Sequence, residues 1–493
     1  MSNVDTPFDY DFDEERSGFA APVAPQGRSR RVGALELAML AVTVLGLASL
    51  VLQTAGGPWA GTWLGFLSSF GLLSVGGAGT FIARYKDREP GIQNDGIQDG
   101  GATGRGLVGW LLGVGFTAIY VVIYWFPELL GEREGADPVG LVRVVDAPAR
   151  ALSGWPASRW FLYGVLYTLA VTVFGVRTWM RYRHVRYHRI RTVSVFVAQF
   201  FAAWLIPNLL IKLKQPYMEF NGVWPLKQDY LWPDKVNEFL SAGAAGKAML
   251  AFAIGAVVIG TGFLTYRYGK RWYCSWVCGC GGLAETLGDP WRQLSSKKPG
   301  AWKLERVLIH AVLALVLIAT LALWANAKLG WFGSWAYELK AWYGFYIGAV
   351  FSGVIGVGFY PLLGSRVWCR FGCPQAAILG LIQRVFSRFR ITTNGGQCMS
   401  CGNCSTYCEM GIDVRAYAER SENIVRASCV GCGVCAAVCP RGVLKLENGM
   451  PGDRYDGADS PLAAFRAGLF DVDIHGYEPW PPTGCGSGDD AQR

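Results

Sequence analysis

This sequence is short of charge for its length, and it has very little histidine. Of its 493 residues, 17% are Asp, Glu, Lys or Arg, 52% are hydrophobic, and the mean hydropathy is +0.24. Soluble domains carry roughly 25% charged residues, so a soluble enzyme is excluded and an integral membrane protein is implied. Of the four histidines only His310 falls inside a long apolar stretch. A bis-histidine haem needs two there, so cytochrome b chemistry does not fit. No phosphate-binding glycine loop, hydrolytic constellation or nucleic-acid-binding module stands out. The net charge of +9 gathers at the ends of apolar segments, where it orients a membrane protein rather than attracting a polyanion.

Cysteine, by contrast, is plentiful and patterned. Eight of the 14 cysteines lie between Gln397 and Leu446. Cys398, Cys401, Cys404 and Cys408 are separated by two, two and three residues; Cys429, Cys432, Cys435 and Cys439 repeat that spacing, and Pro440 follows. This is the bacterial ferredoxin pattern. A cubane cluster needs four thiolates converging on one small volume, and a tight loop with a cysteine at every third position supplies three. In two-cluster ferredoxins the last cysteine of each run ligates the other cluster. The expected sets are therefore Cys398, Cys401, Cys404 and Cys439 for one 4Fe-4S cluster, and Cys429, Cys432, Cys435 and Cys408 for its neighbour. Gly402, Gly431 and Gly433 stand between ligands, where the backbone must turn sharply. Structural zinc and a disulfide framework are the rivals, and neither calls for two runs of four at one irregular spacing. Glu409 is the one departure, standing where the first run would usually carry proline, and it bears on the fine geometry of that loop rather than on the ligand set.

The rest of the chain is organised by apolar length. Residues 1–32 are polar and acidic and read as a disordered cytoplasmic head; the acidic start is wrong for a secretory signal. Eight stretches are then long and apolar enough to cross a bilayer: 33–54, 62–83, 106–130, 159–180, 192–213, 246–268, 304–326 and 343–363. An even number puts both termini on one side. Arg28, Arg30, Arg31, Arg84, Lys86, Arg88, the run Arg181 to Arg191, Lys270, Arg271, Lys297, Lys298, Arg366 and Arg370 fall on that side. By the positive-inside rule it is the cytoplasm, a reducing compartment that leaves cysteines free for iron. The loop holding Pro216, Tyr217, Trp224, Pro225, Tyr230, Trp232 and Pro233 lies on the other side, expected as an interfacial aromatic belt, with a periplasmic docking surface as the rival reading. Gly344, Gly348, Gly353, Gly356 and Gly358 are expected to let a neighbouring helix approach. The divisions expected are 33–180 and 181–390 for two four-helix membrane regions, 391–450 for the twin-cluster unit and 451–493 for a flexible tail with a free Cys485.

A second cysteine motif recurs where the sixth and eighth stretches emerge. Gly269, Arg271, Cys274 and Cys278 match Gly364, Arg366, Cys369 and Cys373 offset for offset, so the two are copies of one unit. Cys274, Cys278, Cys369 and Cys373 are expected to converge at the inner rim of the bilayer, with Arg271 and Arg366 favouring thiolate. Such a site would hold a further metal or iron–sulfur cluster, or act as redox dithiols; inert buried cysteines are the bland alternative. Cys278 is followed by Gly279 and an extra Cys280, where the second copy has Pro374. His310, near the inner end of its stretch, is a candidate for contact with a quinone head group or for support of the cysteine site. His184 and His188, read as one helical turn apart, are either a metal pair or a solvated basic face.

Over roughly residues 190 to 450 the two Cys-x-x-x-Cys edges and the twin-cluster unit resemble the polyferredoxin membrane proteins of the NapH and NosR type, and also the CcoG/FixG/RdxA group. The resemblance implies passage of electrons between a quinone-pool or cytoplasmic donor and a respiratory partner, periplasmic or in the membrane. It also implies, as the alternative, an assembly factor that reduces a metal ion for insertion into an oxidase or other metalloenzyme. No periplasmic flavin domain of the NosR kind is present, and the spans before about residue 160 have no counterpart.

The fold expected is an all-α polytopic bundle of about eight transmembrane helices carrying a small α+β two-cluster ferredoxin domain, in a bacterial inner membrane and in contact with lipid. Anaerobically purified protein should hold about eight irons if only the ferredoxin runs are filled, and about twelve if the edge cysteines hold a further cube. Iron and sulfide counting with EPR measures this; colourless protein with zinc in those positions would overturn the reading.

Overall fold

Long apolar segments leave the backbone no partner but itself, so they wind into helices. In a computed structural model, which describes residues 32–87, 103–133 and 135–448, seven helices are long and apolar enough to cross a membrane. They are α1 (Ala34–Thr54), α2 (Trp63–Tyr85), α3 (Leu107–Trp125), α4 (Arg159–Arg181), α5 (Arg186–Lys212), α6 (Gly243–Tyr268) and α7 (Pro299–Leu329). The acidic head up to Arg31, Arg88 and the tail with Cys485 lie outside the described residues. The stretch expected at 343–363 differs. A helix, α8, begins earlier, at Ser334–Trp342, and runs on as Tyr343–Ile355. It then breaks into turns at 356–359. Glycines at 356 and 358 and Pro361 cannot sustain it, while Glu338, Lys340 and its Trp and Tyr residues make it less apolar than the other seven.

Close packing and polar ties assemble the helices. A Cβ on Gly76 of α2 would lie 2.5 Å from the Thr43 amide nitrogen of α1, so only glycine permits that crossing. Ser49 of α1 bonds Ser68 at 2.9 Å and Ser69 at 3.2 Å. Of the five glycines expected to pack in the last stretch, Gly353 meets Tyr120 and Gly358 meets Thr117, both on α3, whereas Gly344 and Gly348 face open space. Several helices widen to the i→i+5 winding part-way along, among them α5 at Ala198–Leu205, α6 at Ala256–Leu264 and α8 at Tyr343–Ile355. Such turns expose carbonyls to partners outside the helix.

The cysteine-rich unit is small and α+β, as expected. Strand β1 (Arg390–Thr393) pairs antiparallel with β2 (Leu444–Glu447), Arg390 opposite Glu447 and Thr393 opposite Leu444. Between the strands, short helices at Asn403–Thr406 and Val434–Ala437 each follow a left-handed glycine, Gly402 and Gly433. The two runs therefore fold alike.

This unit is bonded directly to the helix ends. Tyr187 Oη donates to the Gly431 carbonyl at 2.7 Å, Arg191 to that of Cys432 at 2.7 Å, and Ser275 Oγ to that of Val430 at 2.8 Å. Gln383 Nε2 donates to the Arg426 and Cys429 carbonyls, and its Oε1 accepts from the Lys270 amide. One hydrophobic core continues from Cys274, Cys278 and Cys373 to Cys404, Cys429 and Cys435. At Gly431, φ is +63° and a Cβ would lie 2.6 Å from Arg271 Cβ and 3.0 Å from Phe389 Cζ. Gly431→Ala should therefore cost about 1–3 kcal/mol, read as an earlier thermal unfolding step and faster proteolytic release of the unit.

Candidate iron–sulfur relay

Cysteines from both runs come together where the loops fold. A small cleft is lined by Cys398, Cys401, Cys404 and Cys439, together with Met399, Arg415 and Pro440. Three cysteines of the first run thus face the last cysteine of the second. The Cys435 thiol lies within electrostatic reach of Cys432, Cys429 and Cys408 and also of Cys404, which gathers the other expected set and puts the two sets side by side.

The membrane-edge cysteines converge as well. Cys373 lies within reach of Cys369, Cys274 and Cys278, and Cys274 of Cys278 and Cys369. Arg366 Nη1 donates to the Cys274 carbonyl at 3.1 Å and lies 3.5 Å from the Cys369 sulfur, as expected of it. Arg271 does not take the matching place: its guanidinium stacks 4.6 Å from the Phe389 ring centroid and bonds Asn448. The cation near Cys274 is Lys270, whose Nζ is buried and donates to the Ala427 carbonyl at 2.7 Å. Cys280 lies beside Cys278.

Burial deepens from one quartet to the next. Cys401 is exposed while Cys398 and Cys439 are half-buried; Cys429 and Cys435 are buried while Cys408 and Cys432 are half-buried; Cys274, Cys278, Cys369 and Cys373 are all buried. Among the described residues no three cysteine sulfurs lie within 4.8 Å of one another.

Between the second and third quartets lies a buried network of charge. Glu409 accepts from Arg366 Nε at 3.0 Å and lies 3.5 Å from Arg292; Glu285 pairs with Arg366 at 2.7 Å, Arg191 at 2.9 Å and Arg292 at 3.4 Å; Asp289 pairs with Arg292, Arg181 and Arg177. Glu409 thus ties its loop to Arg366 and Arg292 at the helix ends. Its spacing within the run gave no sign of this, since both partners are distant in sequence. Burial pushes its carboxyl up to about 7, against Arg366 and with Glu285 beside it. Against the same burial, Arg191, Arg366 and Arg292 hold Glu285 down to about 2. Among the described residues five guanidiniums face three carboxylates here, and an anion nearby would help to balance the buried charge. Thiolate-ligated clusters are anionic, so this environment suits them.

Both cysteine regions match four-iron families. Residues 397–444 match the 4Fe-4S dicluster domain, and residues 248–301 and 346–392 match a 4Fe-4S binding domain. The chain is similar to YccM of Escherichia coli (strain K12), whose name assigns it provisionally to electron transport. Identity is 25% over 154 residues, covering 29% of this chain and 43% of that protein. It is also similar to the methylamine utilization ferredoxin-type protein MauN of Methylobacillus flagellatus, with 27% identity over 195 residues, 38% of this chain and 62% of that one. The chain thus spans about half the length of the curated relatives it matches. No solved structure matches it. The matches support an iron–sulfur electron-transfer protein, without reaching the narrower NapH or NosR type.

Among the described histidines, His188 packs against the second cysteine run at Gly433, near Arg191 and Glu285, whereas His184 and His310 are exposed. His310 is exposed, and its Nδ1 lies 2.6 Å from the Arg306 carbonyl of its own helix. His184 and His188 are not on one helix: α4 ends at Arg181 and α5 begins at Arg186. His184 is exposed, whereas His188 is buried with its ring stacked 4.8 Å from that of Tyr182, so they form neither a metal pair nor a solvated face. Arg366→Met would remove the nearer of the two guanidiniums that Glu285 and Glu409 share, leaving them Arg292 at 3.4 and 3.5 Å. The expected loss is about 3–5 kcal/mol, larger than for Glu409→Gln, measured by thermal unfolding in detergent and by protease release of the ferredoxin unit.

Proposed function

We propose that this chain relays single electrons through two 4Fe-4S clusters, held by Cys398, Cys401, Cys404 and Cys439 and by Cys429, Cys432, Cys435 and Cys408, to a third iron–sulfur site at Cys274, Cys278, Cys369 and Cys373. The observation that carries this reading is the inward order of the three quartets along one continuous core. A four-iron cluster accepts or gives one electron with little change of shape. The chain's own residues do the rest. Backbone turns at the glycines present the thiolates, the arginine network holds negative charge in a dry interior, and the apolar wall around Tyr273 and Trp368 keeps water away. Hydrogen bonding, charge and burial are the levers that set potential in such sites.

The setting proposed is a bacterial inner membrane, with α8 counted as an eighth span, so that both termini and the ferredoxin unit face the cytoplasm. Support comes from Arg181, Arg183, Lys270, Lys297, Arg366 and Arg370, which cluster at the helix ends bonded to that unit, as the positive-inside rule expects. The partners proposed are a cytoplasmic or quinone-pool donor and a respiratory acceptor. The NapH and NosR type, with the CcoG/FixG/RdxA group beside it, is the narrower family reading.

The test is the double variant Cys369→Ser/Cys373→Ser. Purified without oxygen, it should keep the ferredoxin EPR signals and lose about four irons. Unchanged iron would remove the third site from the relay. No iron in the unaltered protein would remove the relay.

A further inference from the structure

The third quartet sits deeper than its sequence position suggests, and a loop from the far side comes in to meet it. A Cβ on Gly279, the residue after Cys278, would lie 3.2 Å from Gln199 Oε1, 3.4 Å from Asn221 Nδ2 and 3.5 Å from Tyr167 Oη. Gln199 belongs to α5 and Tyr167 to α4. At about 1.5 Å per residue each lies roughly 20 Å along its helix from the end that meets the ferredoxin unit. The segment Cys274 to Cys280 therefore dips into the bundle rather than resting on its edge.

The loop after α5 was expected at the opposite interface, and it folds back instead. Beyond Lys212 the chain reverses until the Phe220 amide donates to the Ala202 carbonyl at 2.9 Å, roughly 15 Å back along α5. The wide winding of Ala198–Leu205 makes that carbonyl reachable. Tyr273 Oη then donates to the Asn221 carbonyl and accepts from the Val223 amide, both at 3.1 Å. Tyr273 is the immediate neighbour of Cys274. Met218, Asn221 and Val223 are buried, and the return is closed by Lys227 and Glu219, paired at 2.7 Å and still partly exposed. Trp232 and Trp324 pin the second half of the loop to α7, Trp232 Nε1 donating to Thr320 and Trp324 Nε1 to the Leu231 carbonyl. The quartet's own cysteines are at most 6% exposed, so lipid has little direct access to them. The returning loop thus connects the site to the end of the bundle opposite the ferredoxin unit.

We infer that the re-entrant segment 218–227, latched by Tyr273, is the port through which the third site exchanges single electrons with a one-electron carrier on that opposite face, so that the chain conducts across the bundle. This rests on the relay proposed above and deepens it by naming the exit. The balance is one electron per event: the third site is oxidised by one electron and the carrier reduced by one, and the site is resupplied from the ferredoxin side. No bond forms or breaks and no proton is transferred.

The test uses the full chain in proteoliposomes with ferricyanide trapped inside, dithionite outside, and potassium with valinomycin to dissipate the charge that builds up. Trapped ferricyanide should bleach in proportion to protein. Tyr273→Phe, which keeps the ring and loses both loop bonds, should bleach it several-fold more slowly while retaining wild-type iron content and full reduction by dithionite in detergent. Separately, an impermeant maleimide should reach Lys227→Cys and Gly396→Cys from opposite sides of membrane vesicles, each compared with the unaltered protein. Vesicles whose clusters are reduced while trapped ferricyanide stays oxidised would overturn the port and leave the relay standing; so would labelling of both positions from one side. Protein without iron would overturn the relay and the port together.

Discussion

One guanidinium holds the functional parts of this molecule in register. Arg366 reaches Glu409 in a ferredoxin loop, Glu285 in the segment after the first edge motif, and the backbone and sulfur of the edge cysteines themselves. Burying those charges is tolerable only because each finds a partner. The geometry is consequently all or nothing: the cysteine quartets line up when the network closes, and the network closes only when loops from three parts of the chain arrive together. The surplus of arginine over carboxylate in the same volume fits it to anionic clusters and ties the fold to the chemistry it is proposed to carry out.

The division of labour between local and distant residues explains what could be read from the sequence. Cysteine spacing is a local signal, and the stretch that carries it, residues 397–444, matches the 4Fe-4S dicluster domain. Apolar length is local too, and seven of the eight expected stretches lie on helices long and apolar enough to span. The duplicated edge motif was legible because its two copies match offset for offset. What escaped depends on partners far away in the chain. Glu409 reads as a flaw in a motif until Arg366 and Arg292 are brought to it. Lys270 and Arg271 are neighbours with interchangeable charge, and only the fold decides that the first lies near the cysteine site while the second stacks on Phe389.

Depth was the other quantity that the sequence concealed. Counting apolar residues measures how long a span is, yet says nothing about how far the connecting chain sinks back between spans. The turn after α6 and the loop after α5 both do so, because bundle interiors satisfy non-helical backbone with side chains and exposed carbonyls that lipid does not provide. Tyr273 and the wide turn of α5 are the two devices that make this possible, and neither has a signature in composition.

The gradient of exposure across the three quartets carries a consequence for handling. Dissolved oxygen and chelators arrive from water, and they meet the open cleft around Cys401 well before anything reaches the sealed thiols beside Tyr273. Corrosion should therefore run from the outside inward, stripping the surface centre first and leaving folded molecules with intact interior centres and no entry point for electrons. A preparation in that condition would keep its brown colour and much of its metal, and yet be mute to any donor.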